Sequence, residues 1–231
     1  MPMSQQDDTD AAGRPSAERT RAALIAAALK LFGEKGFAAT STREIAAEAK
    51  ANIGSIAYHF GGKAALRDAC AAHIVETVAL VADPVLAAIP PPADREEAEA
   101  QFRVAAERMA GFLVAAPQVS SFVQFVLREI QHPGRAFDIL YAGLVEKVHR
   151  RLCAIWAAAS GDDAESEATK IAVFALIGQT VYFRIAREAV LRRMGWREIG
   201  AAEAGLITAT VLENALAALA TRRTRREERK P

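Results

Sequence analysis

Cysteine is nearly absent from the 231 residues: Cys70 and Cys153 stand far apart, with no C-x-x-C spacing. That excludes a disulfide scaffold and a zinc ribbon and suits a reducing compartment, so a cytoplasmic location is expected. Aromatics make up 6% of the chain, and glycine and proline number 14 and 9. An excess of one charge is lacking too, since 29 Lys and Arg face 28 Asp and Glu, a formal net charge of +1. Taken globally, that balance gives no hint of nucleic acid. The longest apolar run, Ile171 to Gly178, is far short of the ~20 residues a membrane span needs. The opening MPMSQQDDTDAAG is polar and acidic and has no signal-peptide core. What is abundant is alanine, 52 residues of 231. Alanine has the best intrinsic helix propensity, and the length suits one large or two small domains with a sizeable core.

Residues 1–15 lack apolar periodicity and read as a disordered arm. Ser16 is the expected N-cap of a first helix running to Lys35, with Gly36 as its stop. Ser41-Thr42-Arg43-Glu44 fits a capping box opening a short helix, Thr42 to Ala49. Asn52 caps a third, Ile53 to His59, and Gly61-Gly62 breaks the pattern. Lys63 opens a long helix that Pro84 interrupts, before a stiff connector at Pro90-Pro91-Pro92. Further helices are expected from the Asp94 cap to before Pro117, over Val119 to Gln131, Ala136 to Ala159, Ala164 to Met194, and Gly200 to Ala220. Residues 221–231, with six basic and two acidic residues, form a basic tail. No strand is expected. The chain reads as all-α, with about nine helices.

Two short helices joined by a tight turn and packed on a longer one are the anatomy of a helix-turn-helix DNA reader. In TSTREIAAEAKANIGSIAYHFGGKAAL, the apolar Ile45, Ala46, Ala49, Ile56, Phe60 and Leu66 would hold the unit together. The other positions are small, polar or basic, as a surface against a duplex should be. Gly54 and Ser55 permit close approach to bases. From Ser16 to Lys63 seven basic residues face four acidic ones, a local excess suited to a small DNA-reading module.

The run Ala27-Ala28-Leu29-Lys30-Leu31-Phe32-Gly33-Glu34-Lys35-Gly36-Phe37 continues through Thr40, Thr42-Arg43-Glu44-Ile45-Ala46, Ala49 and Tyr58-His59-Phe60-x-x-Lys63-x-x-Leu66. With that order and spacing, residues 19–66 resemble the DNA-binding domain of the TetR/AcrR family of bacterial transcriptional regulators. The Tyr-His-Phe-Gly-Gly-Lys string, with Arg128-Glu129 and Pro133-Gly134-x-Ala136-Phe137-Asp138, is similar to the CecR-like branch. The resemblance implies a DNA-binding domain at 16–63 and a helical ligand-binding and dimerisation domain at 64–220. It also implies a repressor that binds a palindromic operator as a homodimer through its last two helices and is released by a small-molecule effector. Carried over to this chain, Thr42, Tyr58, His59 and Lys63 would contact phosphates and Arg43 a base edge. Ile53, Gly54 and Ser55 would face the groove floor, with Asn52 beside them. Lys50 stands where the family has Gly, which implies either a looser turn or a phosphate contact. Ala57 stands where many members carry an aromatic, which shifts the backbone contact to Tyr58.

In the second half, aromatic and polar residues cluster as a small-molecule site would require. Phe112, Phe122, Phe125, Glu129, His132, Tyr141, Trp156, Phe174, Gln179 and Tyr182 are the candidate lining, with core filling as the bland alternative. Catalysis has no support: there is no G-x-S-x-G, no H-E-x-x-H, no phosphate-cradling loop and no Cys near a plausible His. Glu146 and His149 share a helix face without a partner pair, so neither a metal nor a cofactor is expected. The competing reading is an all-α structural or protein-interaction module without specific DNA binding.

Overall fold

The computed structural model describes residues 8–87, 92–115 and 120–228. Among the described residues it is all-α, with eleven α-helices, one π turn and no strand. The count exceeds nine because two expected long helices are each divided. Ala136–Ala159 becomes α7 (Arg135–Leu140), a π turn (Tyr141–Val145) and α8 (Glu146–Ser160). Ala164–Met194 becomes α9 (Glu167–Ile185) and α10 (Arg187–Met194), separated where Ala186 leaves helical geometry at φ −94° and ψ 23°.

The chain forms two compact units, Met1–Asp83 with Ser120–Leu144, and Pro84–Val119 with Val145–Pro231. In the first, α1 (Asp8–Lys35), α2 (Thr42–Glu48), α3 (Gly54–Phe60) and α4 (Lys63–Ala87) precede α6 (Ser120–Gln131) and α7. One core joins them, built on Leu24, Ala28, Phe32, Ile45, Ile56, Leu66, Ile74, Phe125 and Leu140. Ile45, Ala46, Ile56 and Leu66 are buried as the spacing required, while Ala49 and Phe60 are half-buried. The first helix starts at Asp8 and not after a Ser16 cap, so residues 8–15 of the expected arm are helical. Ala11 and Ala12 favour helix, and acidic residues at its start complement the dipole. Residues 1–7 lie outside the described ones. Helix α4 also runs past Pro84 to Ala87, giving up the hydrogen bond that the missing amide cannot make. Pro90, Pro91, Pro117 and Val119 lie outside the described residues.

Local chemistry sets the turns of this unit. Gly36 stops α1 at φ 84°, and buried Thr40 ties the following link by donating Oγ1 to the carbonyls of Leu31 (3.2 Å) and Gly36 (2.8 Å). Ser41 and Glu44 form the expected capping box of α2. At its other end Lys50 takes φ 51°, with Lys50 N donating to Ala47 O (3.1 Å) and Ala51 N to Ala46 O (2.9 Å). That bond pair is the Schellman stop, so the turn stays tight although glycine is missing. Asn52 Oδ1 then accepts from Gly54 N at 2.8 Å, and α3 begins one residue later than expected.

The second unit contains α5 (Arg95–Ala115), α8, α9, α10 and α11 (Ala201–Glu227) around Phe102, Leu152, Trp156, Val173, Leu176, Val211 and Leu219. Asp94 caps α5, with Glu97 N donating to Asp94 Oδ1 at 2.8 Å and Ala93 N to Glu97 Oε2 at 2.7 Å. The expected basic tail is helical as far as Glu227. Arg222 donates to Ala168 O (3.0 Å), and Arg223 to Ala159 O (2.8 Å) and Glu99 (2.5 Å), so these charges fasten α11 to its neighbours. By length and composition α9 and Ala201–Thr224 are long and apolar enough to cross a membrane, with mean hydropathy 1.2 and 1.4. Their inner faces pack into the second core, while Ile171, Phe174 and Ile185 lie on the exposed face of α9 and Leu206 is exposed on α11.

Two substitutions test these packing arguments. A left-handed lysine costs about 1–2 kcal/mol, part of which glycine returns as backbone entropy. Lys50→Gly should therefore raise the urea midpoint of unfolding, by up to about 1 kcal/mol in stability. An unchanged midpoint would show that Lys50 carries no strain. A Cβ added at Gly143 in the π turn would lie 2.6 Å from Val75 Cγ1 on α4. Gly143→Ala should cost roughly 1–3 kcal/mol, and adding Val75→Ala should recover part of it.

Candidate nucleic-acid interface

Helix α2 is anchored to α1 by exposed ion pairs as well as by its buried face. Lys30 Nζ lies 2.7 Å from Glu48 Oε1, and Lys35 Nζ 2.8 Å from Glu44 Oε1. The Lys35 hydrogen bond, aided by those from Ser41, holds the Glu44 carboxyl at a pKa of about 2. Exposed pairs of this kind contribute little stability. Their consequence is electrostatic, because two of the seven basic residues counted for this segment are matched by acidic partners.

The ten residues expected to meet DNA all lie in the first unit. Thr42 and Arg43 open α2, with Arg43 exposed and Thr42 half-buried. Lys50 and Asn52 are exposed in the turn, where the Asn52 side chain caps the Gly54 amide. Ile53 is 50% exposed and Tyr58 83%, although both are large and apolar or aromatic. Gly54 is exposed, and Ser55 and His59 are half-buried. Ile56 alone is buried on α3. The Tyr58 ring meets His59 edge-on at 4.9 Å. Lys63, the first residue of α4, holds its ammonium 4.3 Å from the centre of the Phe37 ring.

The ten candidate ligand residues divide between the two units. Phe122, Phe125, Glu129, His132 and Tyr141 belong to the first unit, and Phe112, Trp156, Phe174, Gln179 and Tyr182 to the second. Phe125 and Trp156 are core residues, packed against Phe32 (6.4 Å) and Phe102 (5.4 Å). Glu129 is buried and paired with Arg67. Gln179 accepts from Asn214 at 3.2 Å, while Phe174 stacks on His149 at 3.9 Å. Tyr182 lines a groove of about 470 Å³ with Phe183, Val190, Met194, Trp196 and Leu206. Of the candidate aromatics only Phe125 and Trp156 are fully buried, whereas Phe112, Tyr141, Phe174 and Tyr182 are exposed.

The expectation that no Cys lies near a His fails. Cys153 Sγ is 3.7 Å from His149 Nδ1, one helical turn away. Cys70 and Cys153 are both buried, and burial raises the thiol pKa of each, as in packed thiols. Arg67 carries no signal in the sequence, and Arg128 stands there only as part of the CecR-like string; their partners lie 62 and 95 residues away. No local pattern announces such pairs.

Comparison with known proteins agrees with this anatomy. The tetR family of bacterial regulatory proteins matches residues 24–70, and the C-terminal domain of the HTH-type transcriptional dual regulator CecR matches residues 98–221. The CecR regulator of Shigella flexneri is 35% identical over 200 residues, 84% of this chain and 88% of its own length. The transcriptional repressor Rv3405c of Mycobacterium tuberculosis is 42% identical over 73 residues, 31% of this chain and 39% of its own. Among solved structures, a TetR-like regulator from Rhodococcus sp. RHA1 aligns with TM-score 0.60 at 19% identity, covering 86% of this chain and 96% of its own. AibR, solved with isovaleryl coenzyme A and operator DNA, aligns with TM-score 0.58 at 17% identity, covering 84% and 96%. At those identities the structural likeness is one of fold. The match over most of the chain to CecR goes further: this protein belongs to the TetR family of bacterial transcriptional regulators, in the branch that carries the CecR C-terminal domain.

Proposed function

We propose that this DNA-binding regulator works in the cytoplasm as a homodimer on a palindromic operator, as a repressor that a small molecule releases. The observation that carries the reading is the bareness of α3. Tyr58 and Ile53 stand 83% and 50% exposed around a seven-residue helix with one buried residue. A duplex would cover them. In this reading Thr42, Lys50, Tyr58, His59 and Lys63 hold phosphates, and Arg43 reads a base edge. Asn52, Ile53, Gly54 and Ser55 face the groove floor. Residues 16–63 read DNA, and residues 64–220 take the effector and dimerise.

The exposed face of α9 supports the dimer. Ile171, Phe174 and Ile185 recur there with the small Ala175 and Gly178, beside α11, to which Gln179 and Asn214 connect. An isologous two-fold contact would bury this stripe and place two reading helices on a palindrome. The groove of about 470 Å³ in the second unit has a size that small ligands fill. Repression follows the habit of relatives such as Rv3405c, and effector binding that of AibR with its coenzyme A thioester.

The test is a gel shift with the DNA upstream of the chain's own gene. A specific, salt-sensitive shift below micromolar protein is expected. Arg43→Ala should relax preference at one base position, at a cost of roughly 1–3 kcal/mol, whereas Lys63→Ala should weaken all sequences alike. If no specific shift forms, the operator reading fails and an interaction module takes its place. If both variants bind like the parent, the residue map is wrong.

A further inference from the structure

Arg128 and Glu129 are neighbours on the last turn of α6, and each grips a different end of the reading segment. Arg128 donates Nε to the Gly33 carbonyl at 2.9 Å and Nη2 to the Glu34 carbonyl at 2.7 Å. Those carbonyls belong to the last turn of α1, where helical partners run out. Glu129, 3% exposed, accepts Arg67 of α4 on both oxygens, Nε at 2.7 Å and Nη2 at 2.6 Å. The Arg67 guanidinium also lies 4.8 Å from the centre of Phe37, directly after the α1 stop, and its Nη2 is 3.4 Å from the His132 carbonyl. The ends gripped, residues 33–37 and 63–67, bracket α2, the turn and α3 completely.

We infer that Arg128 and Glu129, with Arg67, are positioning residues for DNA binding, which hold the two ends of the helix-turn-helix segment at the spacing that presents α2 and α3 to the duplex. The inference rests on the operator reading above. None of the three belongs to the proposed contact surface, and the first two reach their partners across 95 and 62 residues of chain. The physical ground is directional. Apolar packing under α2 and α3 tolerates sliding, since it is non-directional. A bidentate guanidinium–carboxylate pair and a guanidinium shared by two carbonyls fix orientation as well as distance.

A structural role and a positioning role separate because replacing a buried ion pair by apolar residues of similar volume is often neutral for stability. The double variant Arg67→Met with Glu129→Leu should therefore keep the parent's urea midpoint and helical content. Its affinity for the upstream duplex should fall roughly three- to thirty-fold, as for residues that act on a site without touching it. Affinity for a duplex of unrelated sequence should stay unchanged. Arg128→Lys is the second variant, keeping the charge but not the fork that reaches two carbonyls at once. It should show the same selective loss, and it serves alone if the double variant unfolds. A parent that binds the upstream duplex while either folded variant binds it equally well overturns the positioning role. A parent that shows no specific shift overturns the operator reading, and the positioning role falls with it.

Discussion

Seven residues are too few for a helix to hold itself in water, and α2 and α3 have seven each. Their existence depends on the burial of Ile45, Ala46 and Ile56 in the core shared with α1, α4 and α6. That constraint shapes the rest of the first unit. The short helices spend their few apolar residues inward and leave everything else outward. Stops and caps do what propensity cannot: the box of Ser41 and Glu44, the left-handed Lys50, the Asn52 cap on Gly54 and the left-handed Gly61. A surface made this way is small, stiff and polar, with Ile53 and Tyr58 left over for a partner to cover.

Charge follows the same economy. The basic excess of the reading segment is modest, and Lys30 and Lys35 are matched by Glu48 and Glu44. Arg67 and Arg128 are occupied within the fold as well. In the proposed reading, attraction to a duplex falls to a handful of residues near α2 and α3, such as Arg43, Lys50 and Lys63. A near-zero net charge and a DNA-binding role are compatible because phosphate contacts position a protein through local geometry.

The second unit shows what alanine does when it is abundant. Ala98, Ala106, Ala159, Ala204 and Ala215 are buried between helices, where a small side chain lets backbones approach. Large apolar residues are exposed elsewhere, on α9 most of all, where Ile171, Phe174 and Ile185 face outward. The same surplus explains why two helices reach the composition of a membrane span while carrying a packed inner face. In the proposed dimer, a second copy would meet this face with self-complementary chemistry.

Fold class, the helix-turn-helix, the capping box, the glycine stops and the family were legible because each is a short-range signal, carried by residues within a few positions of one another. The divided helices were not. Apolar spacing continues across Tyr141–Val145 and Ala186, and only the packing of Gly143 against Val75, or the geometry of Ala186, marks the interruptions. Phe125, Glu129 and Trp156 looked like a ligand lining because sequence cannot tell a core aromatic from a cavity aromatic, or foresee that Glu129 would meet Arg67. Local propensity and spacing placed most of the helices and the DNA reader among them, but not the helical extensions over residues 8–15 and 221–227. The return of residues 120–144 to pack beside that reader, and the grip of Arg128 and Glu129 on its two ends, emerge in three dimensions alone. Contacts between residues so distant in the chain are set by how helices stack and leave no periodic trace.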